Sequence, residues 1–349
     1  MTSTTKVPTK KLWKNSTSKM SIVSQKDSDS LKDFIQNHEY FIVIGHKEPD
    51  GDCIASCLGI AAILKHFNKP YRLLSAGPFK RHEIIKYQSQ FFNTVDFMDD
   101  EERKHTGLII TDCSELSRLG DIDFDFKGLD TFIIDHHKTS DLPPNAKGYI
   151  NGNAPAAAYI IQLFYENLIG PLSKELAEII LFGICTDTGF FRFLTTSSES
   201  ADVFNASARL TSYGADPRKI YNSINDGKPW STRKLLGQLL SRAERHLNGR
   251  LVITWETMDD THKLGSEGRD SDALYQLLLS SKDVKAAVFL RQDTQTTCTG
   301  GFRSLDDVDV SIVASKFGGG GHKNASGMST EGRIETLMPA IIKEFARIM

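Results

Sequence analysis

Little in this sequence points to a membrane, a secretory route or an oxidising compartment. No apolar run approaches the ~18 residues that a bilayer-spanning helix needs, and the N-terminal stretch lacks the apolar core of a signal peptide. Cysteines are few: Cys53, Cys57, Cys113, Cys185 and Cys298 are odd in number and form no C-x-x-C pair. That excludes a disulfide framework and a thiolate zinc finger, and reads as free thiols in a reducing cytoplasm. Neither charge sign is in excess, with 42 Lys and Arg against 44 Asp and Glu. A long nucleic acid would need a broad basic field that is missing here, whereas a small anionic substrate needs only a few local cations. Residues 1–30 are rich in Ser, Thr and Lys and poor in apolar side chains, so a disordered extension is expected; the lack of Arg there speaks against a transit peptide. The remainder of the 349 residues is enough for two domains.

What is present centres on FIVIGHKEPDGDCIASCLGI, Phe41 to Ile60. The β-branched and aromatic run Phe41–Ile44 reads as a buried strand, and Pro49 and Gly51 delay a helix until about Cys53. His46, Asp50 and Asp52 therefore fall on a strand-to-helix loop, where open α/β sheets hold their ligands. One imidazole and two carboxylates suit a hard divalent cation of the Mn or Mg type. Asp-Gly-Asp is also ordinary turn chemistry, so this loop alone leaves both readings open. Partners come from two further apolar runs with acidic ends: Leu108–Thr111 leads into Asp112, and Thr131–Ile134 into Asp135, His136 and His137. Lys138 to Asp141 mark the end of that strand and let both rings reach one cavity. The helical run Ala177–Cys185 ends near Asp187. If the strands are parallel neighbours, their tips converge.

The tracts GHKEPDGDCIAS, TDCSELSRLG, DHHKTS and CTDTGFFRF, in this order, resemble the four motifs of the DHH superfamily of phosphoesterases. FGGGGHKNASG, Phe317 to Gly327, resembles the glycine-rich motif of the DHH-associated C-terminal domain. TDTGFFRF followed by YGADPRKIY is most similar to the branch of nanoRNA phosphodiesterases, phosphoadenosine phosphate (pAp) phosphatases and cyclic di-AMP hydrolases. The resemblance implies an α/β fold. A Rossmann-like parallel-sheet domain would span residues 31–225, a helical linker 226–246, and a smaller α/β domain 247–349, with the active site in the cleft between domains. It also implies a dinuclear manganese centre, with Mg²⁺ or Co²⁺ as alternatives. His46 and Asp50 would hold one ion, Asp52, His136 and Asp187 the other, and Asp112 would bridge them. Asp135 would orient an imidazole and His137 would face the phosphate. Glu48 and Ala55 stand where relatives commonly show Asn and Gly, and the tract after Pro155 is Ala where Ser or Thr is usual.

Arg192, five residues past Asp187, reads as a phosphate ligand or as half of a structural ion pair. In the second domain, Gly319, Gly320, Gly321 and His322 read as a loop whose amides cradle phosphate, with Arg303 as a charge partner. The expected activity is hydrolysis of short oligoribonucleotides (nanoRNA, pApA) to mononucleotides and of pAp to AMP by metal-activated water. Two rivals stay open: a cyclic di-AMP phosphodiesterase of second-messenger signalling, and a catalytically silent nucleotide-binding regulator. A homodimer is compatible with each.

Overall fold

A computed structural model describes residues 22–95, 99–137, 146–265, 267–305 and 307–349. The chain divides into two compact units, Met1–Asp226 and Gly227–Met349. The first unit begins with α1 (Gln25–Gln36), β1 (Tyr40–Ile44), α2 (Gly51–His66) and β2 (Tyr71–Leu74). It continues through α3 (Asp100–Lys104), β3 (Thr106–Thr111), β4 (Asp130–Asp135) and β5 (Lys147–Ile150), and closes with α4 (Ala157–Leu168), α5 (Lys174–Asp187), α6 (Ser198–Ser212) and α7 (Pro217–Asn225).

The strands pair in the order β2-β1-β3-β4-β5, all parallel. They are apolar without alternation because both faces are covered. Phe41, Val43, Ile109, Phe132 and Ile134 enter the larger core with residues of α2, α4 and α5, while Ile42, Ile44, Leu108, Ile110 and Ile133 enter a smaller cluster opposite. The chain moves from β1 outward to β2 and returns on the other side as β3. This reversal opens a crevice at the carboxyl ends of β1 and β3, the place where doubly wound sheets bind ligands.

Two sequence expectations need correction. Residues 22–30 are ordered: Ser24 and Asp27 form a reciprocal capping box that starts α1 at Gln25, and Val23, Leu31, Phe34 and Ile35 are buried. Residues 1–21 lie outside the described residues. Helix α2 begins at Gly51 rather than near Cys53, because the Asp50 carboxylate caps it by accepting the amides of Asp52 and Cys53 at 3.0 and 3.1 Å. Asp52 thus sits in the first helical turn. Small residues let α2, α4 and α5 approach closely: a Cβ on Gly183 would lie 2.5 Å from Ala55 Cβ and 2.8 Å from Ala158 Cβ.

The second unit contains α8 (Trp230–Ser241), β6 (Glu244–His246), β7 (Leu251–Glu256), α9 (Met258–Leu264), α10 (Ser271–Leu279) and β8 (Ala286–Gln292). Then follow β9 (Thr297–Ser304), α11 (Val310–Ser315), β10 (Gly320–His322), β11 (Ala325–Glu331) and α12 (Ile334–Phe345). The sheet order is β10-β11-β9-β8-β7-β6, antiparallel except for β7 with β8. Residues of α11 and α12 join the core on one face, and those of α8 and α10 join the core on the other. The stretch 226–246, expected as a linker, therefore packs into this unit through Leu235 and Leu239. Among the described residues no helix is long and apolar enough to cross a membrane.

The amides of α1 should be protected in hydrogen exchange. Ser24→Ala should speed exchange in the first turn and destabilise the first unit by about 1 kcal/mol, read from the midpoint of its urea transition. Unprotected amides over Gln25–Gln36 would show that the helix does not form.

Candidate metal centre

The tips of β1, β3 and β4 supply the first groups. His46 Nδ1 lies 2.8 Å from the Lys47 carbonyl, and His136 Nδ1 lies 3.2 Å from the Ala154 carbonyl. A carbonyl only accepts, so each Nδ1 carries a proton and each Nε2 is turned toward the centre. His46 Nε2 is 3.5 Å from Asp112 Oδ2 and 3.8 Å from Asp50 Oδ1. His136 Nε2 is 3.2 Å from Asp112 Oδ1, 3.4 Å from Asp187 Oδ2 and 3.7 Å from Asp52 Oδ2. The two oxygens of Asp112 thus face two different imidazoles. Asp112 is buried and has φ +54, a left-handed conformation uncommon outside glycine. Its buried Oδ1 receives no well-formed hydrogen bond among the described residues.

Asp52 joins the centre to a helix end. Its oxygens accept the amides of Ala157 at 2.6 Å and Ala158 at 2.8 Å. The α4 N-cap, Ala156, has no side-chain acceptor of its own. The carboxylate from α2 supplies the cap that a Ser or Thr at that end would otherwise give. Asp187 is the last residue of α5.

Asp135 Oδ1 accepts the amides of His136 and His137 and lies 2.8 Å from His137 Nδ1. Because β4 ends at Asp135, the two rings need not point to opposite faces, and their centroids are 4.6 Å apart. Burial would raise Asp135, but hydrogen bonds from His137 and Ser114 outweigh it and hold its carboxyl at about 2.

The electrostatics are those of crowded carboxylates sharing two imidazoles. Burial works against the charged His46 ring, yet Asp112 and Asp50 push its pKa up to about 11; for His136, Asp112, Asp52 and Asp187 outweigh burial and give about 10. Burial, followed by repulsion from Asp112 and Asp187, raises Asp52 well above the usual carboxylate range. Burial lifts Asp187 to about 6, with His136 opposing and Asp112 and Asp50 adding to the rise. Asp50 moves the other way: His46, the Cys53 amide and Arg81 overcome its burial and hold it well below the ordinary value.

Ligand atoms converge within 4.8 Å in three overlapping groups: His46, Cys53 and Asp112; Asp52, His136 and Asp187; and Asp112, Asp135, His136 and His137. Hard oxygens with imidazole suit a divalent cation, and the unsatisfied Asp112 Oδ1 together with two inward Nε2 atoms fits one. Cys53 is near but unsuited, because the Cys57 thiol and burial push its pKa up and keep it protonated.

The other expected residues are placed as follows. Arg192 is exposed, 4.8 Å from the Phe193 ring centroid, with no carboxylate partner among the described residues. Arg303 lies 4.9 Å over the Tyr275 ring, also without such a partner among the described residues. Register pairs Arg303 with Ala325 and Ala325 with His322, so Arg303 and His322 share one sheet face. The glycine tract is a tight hairpin arm, not a free loop: Gly320–His322 form edge strand β10 against β11. A Cβ on Gly319 would meet the Gly327 carbonyl at 2.1 Å, and one on Gly321, at φ +140, the Ala325 carbonyl at 2.6 Å. Close backbone approach therefore demands glycine at both positions.

Sequence reasoning missed Arg81, Tyr275 and the amides of Ala157 and Ala158. The basic Lys80-Arg81-His82 tract beyond β2 could have drawn attention to Arg81. Nothing local marks a helix end that borrows its cap from another helix.

Among known proteins, residues 40–184 match the model of the DHH family, N-terminal domain, and residues 248–349 that of the DHHA1 domain. NrnA of Thermus thermophilus, a bifunctional oligoribonuclease and PAP phosphatase, is 30% identical over 314 residues, 86% of this chain and 89% of the relative. The cyclic-di-AMP phosphodiesterase PdeA of Listeria monocytogenes is 25% identical over 311 residues, 84% of this chain but 45% of that relative. The crystal structure of an exopolyphosphatase-related protein from Bacteroides fragilis shares the fold, with a TM-score of 0.76 and 22% identity, covering 93% of this chain and 98% of that one.

Mn²⁺ loading at about pH 7.5 should release at least one proton per protein, seen by calorimetry in buffers of different ionisation enthalpy. The cation competes with protons on His46 and His136, so its affinity should rise from about pH 6 to 8. A pH-independent affinity would show that these imidazoles are not ligands.

Proposed function

Because this chain belongs to the DHH family of phosphoester hydrolases, we propose that it is a divalent-cation-dependent phosphodiesterase and phosphatase. Its substrates are short oligoribonucleotides such as pApA, cut to mononucleotides, and pAp. The observation that carries the reaction is Asp112, whose two oxygens each face an imidazole, the arrangement of a bridging carboxylate. The choice of substrate rests on the similarity to NrnA over most of both chains.

In this reading His46 and Asp50 would hold one cation and Asp52, His136 and Asp187 a second, with Asp112 available to both; manganese is the expected ion. Such a pair supplies activation of water and neutralisation of charge at phosphorus. The protein's own groups do the rest. Asp135 stays charged at neutral pH and keeps a proton on His137 Nδ1, which fixes the ring. With a second proton on Nε2, the His137 imidazolium would give that proton to the leaving oxygen and be left as a neutral ring with its Nδ1 proton on Asp135. Within the first unit Arg192 is a phosphate ligand, and within the second Arg303 and His322 are separate candidates for the same role; neither guanidinium has a carboxylate partner among the described residues.

Cyclic di-AMP hydrolysis is the second reading, supported by the similarity to PdeA. A silent regulator is disfavoured by the complete donor set.

Turnover with Mn²⁺ on pAp, pApA, a five-nucleotide RNA and cyclic di-AMP, at matched concentrations, tests this. The linear substrates should be cleaved fastest, chelation should abolish turnover, and His137→Ala should lower kcat roughly 10²–10⁴-fold. Asp112→Asn should be inactive. Preference for cyclic di-AMP would favour the second reading, no turnover on any substrate the regulator, and an active Asp112→Asn would sink the dinuclear centre.

A further inference from the structure

The turn that follows Asp187 is built against the preferences of its own residues. Gly189, Phe190 and Phe191 take φ +55, +56 and +69 in succession. Glycine adopts this conformation freely, but bulky side chains rarely do, and they persist there only where the surroundings over-determine them. Here the surroundings do so. Phe190 N donates to the Cys185 carbonyl at 2.7 Å, Phe191 N to Thr188 Oγ1 at 3.0 Å, and Phe193 N to the Thr188 carbonyl at 3.1 Å. Thr188 is buried, and its hydroxyl donates to the Ile184 carbonyl at 2.6 Å. The Phe190 ring packs edge-on against Tyr221 at 5.2 Å, and Phe191 lies against Phe204 at 5.1 Å.

The result of this strain is display. Phe193 is 59% exposed, yet its ring lies over Gly189, where a Cβ would come within 2.5 Å of it. The Arg192 guanidinium is 4.8 Å from the ring centroid. Gly189 is two residues from Asp187, no more than about 7 Å of chain, so an aromatic face and a cation stand beside the proposed phosphate-cleaving centre.

We infer that Phe193 is a stacking surface for a nucleobase of the substrate, held in place by the left-handed turn, with Arg192 bound to an adjoining phosphate. The inference rests on the phosphodiesterase reading and adds to it what recognises the base. A flat ring accepts any base through its π-face, so recognition here tolerates sequence, and the neighbouring guanidinium adds a cation to the stack. The handle also explains how short chains with little phosphate to grip are captured.

The test compares a dinucleotide bearing both bases with its fully abasic counterpart, using the full chain with Mn²⁺. Phe193→Ala should reduce the base-bearing over abasic ratio of kcat/KM by about tenfold, mainly through KM, and Phe193→Trp should restore it. An equal loss on both substrates would assign Phe193 to positioning of the Asp187 turn, and an unchanged ratio would leave it no role in base recognition; either overturns the proposal. A second readout does not depend on turnover: a dinucleotide carrying 2-aminopurine should lose fluorescence on binding to the wild type, and keep it when bound to Phe193→Ala. Absence of hydrolysis with Phe193-dependent quenching would refute the phosphodiesterase reading alone. Hydrolysis without such quenching would refute the stacking surface alone.

Discussion

Asp50, Asp52, Asp112 and Asp187 surround the inward Nε2 atoms of His46 and His136 at the carboxyl ends of the first unit's central strands. Buried negative charge of this density is unfavourable unless it is neutralised, and the protein has arranged that neutralisation must come from protons or from cations. The upward shifts of both imidazoles and of Asp52 and Asp187 express the same constraint, since each group holds its proton against the crowded negative charge. The carbonyls of Lys47 and Ala154 accept hydrogen bonds from the two Nδ1–H groups, which leaves Nε2 as the inward-facing ligand atom on each ring.

Holding the carboxylates in place requires helices to meet at their ends. Asp50 and Asp52 both serve as caps, one for the helix it precedes and the other for α4, whose own N-terminal residues are alanines. Their oxygens are therefore fixed by backbone amides as well as by the centre. The close contact of Gly183 with Ala55 and Ala158 lets α2, α4 and α5 bring these termini together. A hydroxyl at the start of α4 would compete with Asp52 for the same amides, which accounts for the plain alanine tract.

In the second unit the glycines have a double consequence. Gly319 and Gly321 allow β10 to lie tightly against β11, and that register sets His322 on the face that carries Arg303. Tyr275 lies under the Arg303 guanidinium, and a Cβ at Gly301 would meet its hydroxyl at 2.2 Å, so the missing side chain there leaves room for the aromatic ring. The tract thus contributes through sheet geometry as much as through exposed amides.

Much of this was legible from sequence because it is local. The apolar runs ending in His46, Asp112 and Asp135-His136-His137 identify three strands and their tips, and parallel pairing of neighbours then brings those tips together. Other features depended on partners far along the chain. Whether residues 22–30 were ordered turned on a capping box and on a buried face for α1, which composition averaged over residues 1–30 concealed. Helix α2 starts early because Asp50 is both a cap and a member of the centre. The hairpin register of β10, the partner of the α4 amides and the left-handed turn after Asp187 have no periodicity to reveal them. By itself the sequence determined which side chains are candidates for the chemistry and which element each belongs to, since side-chain type and hydrophobic period are local properties. Tertiary structure alone decided which oxygen faces which nitrogen, because those distances are set by the close approach of strands and helix ends distant in the chain.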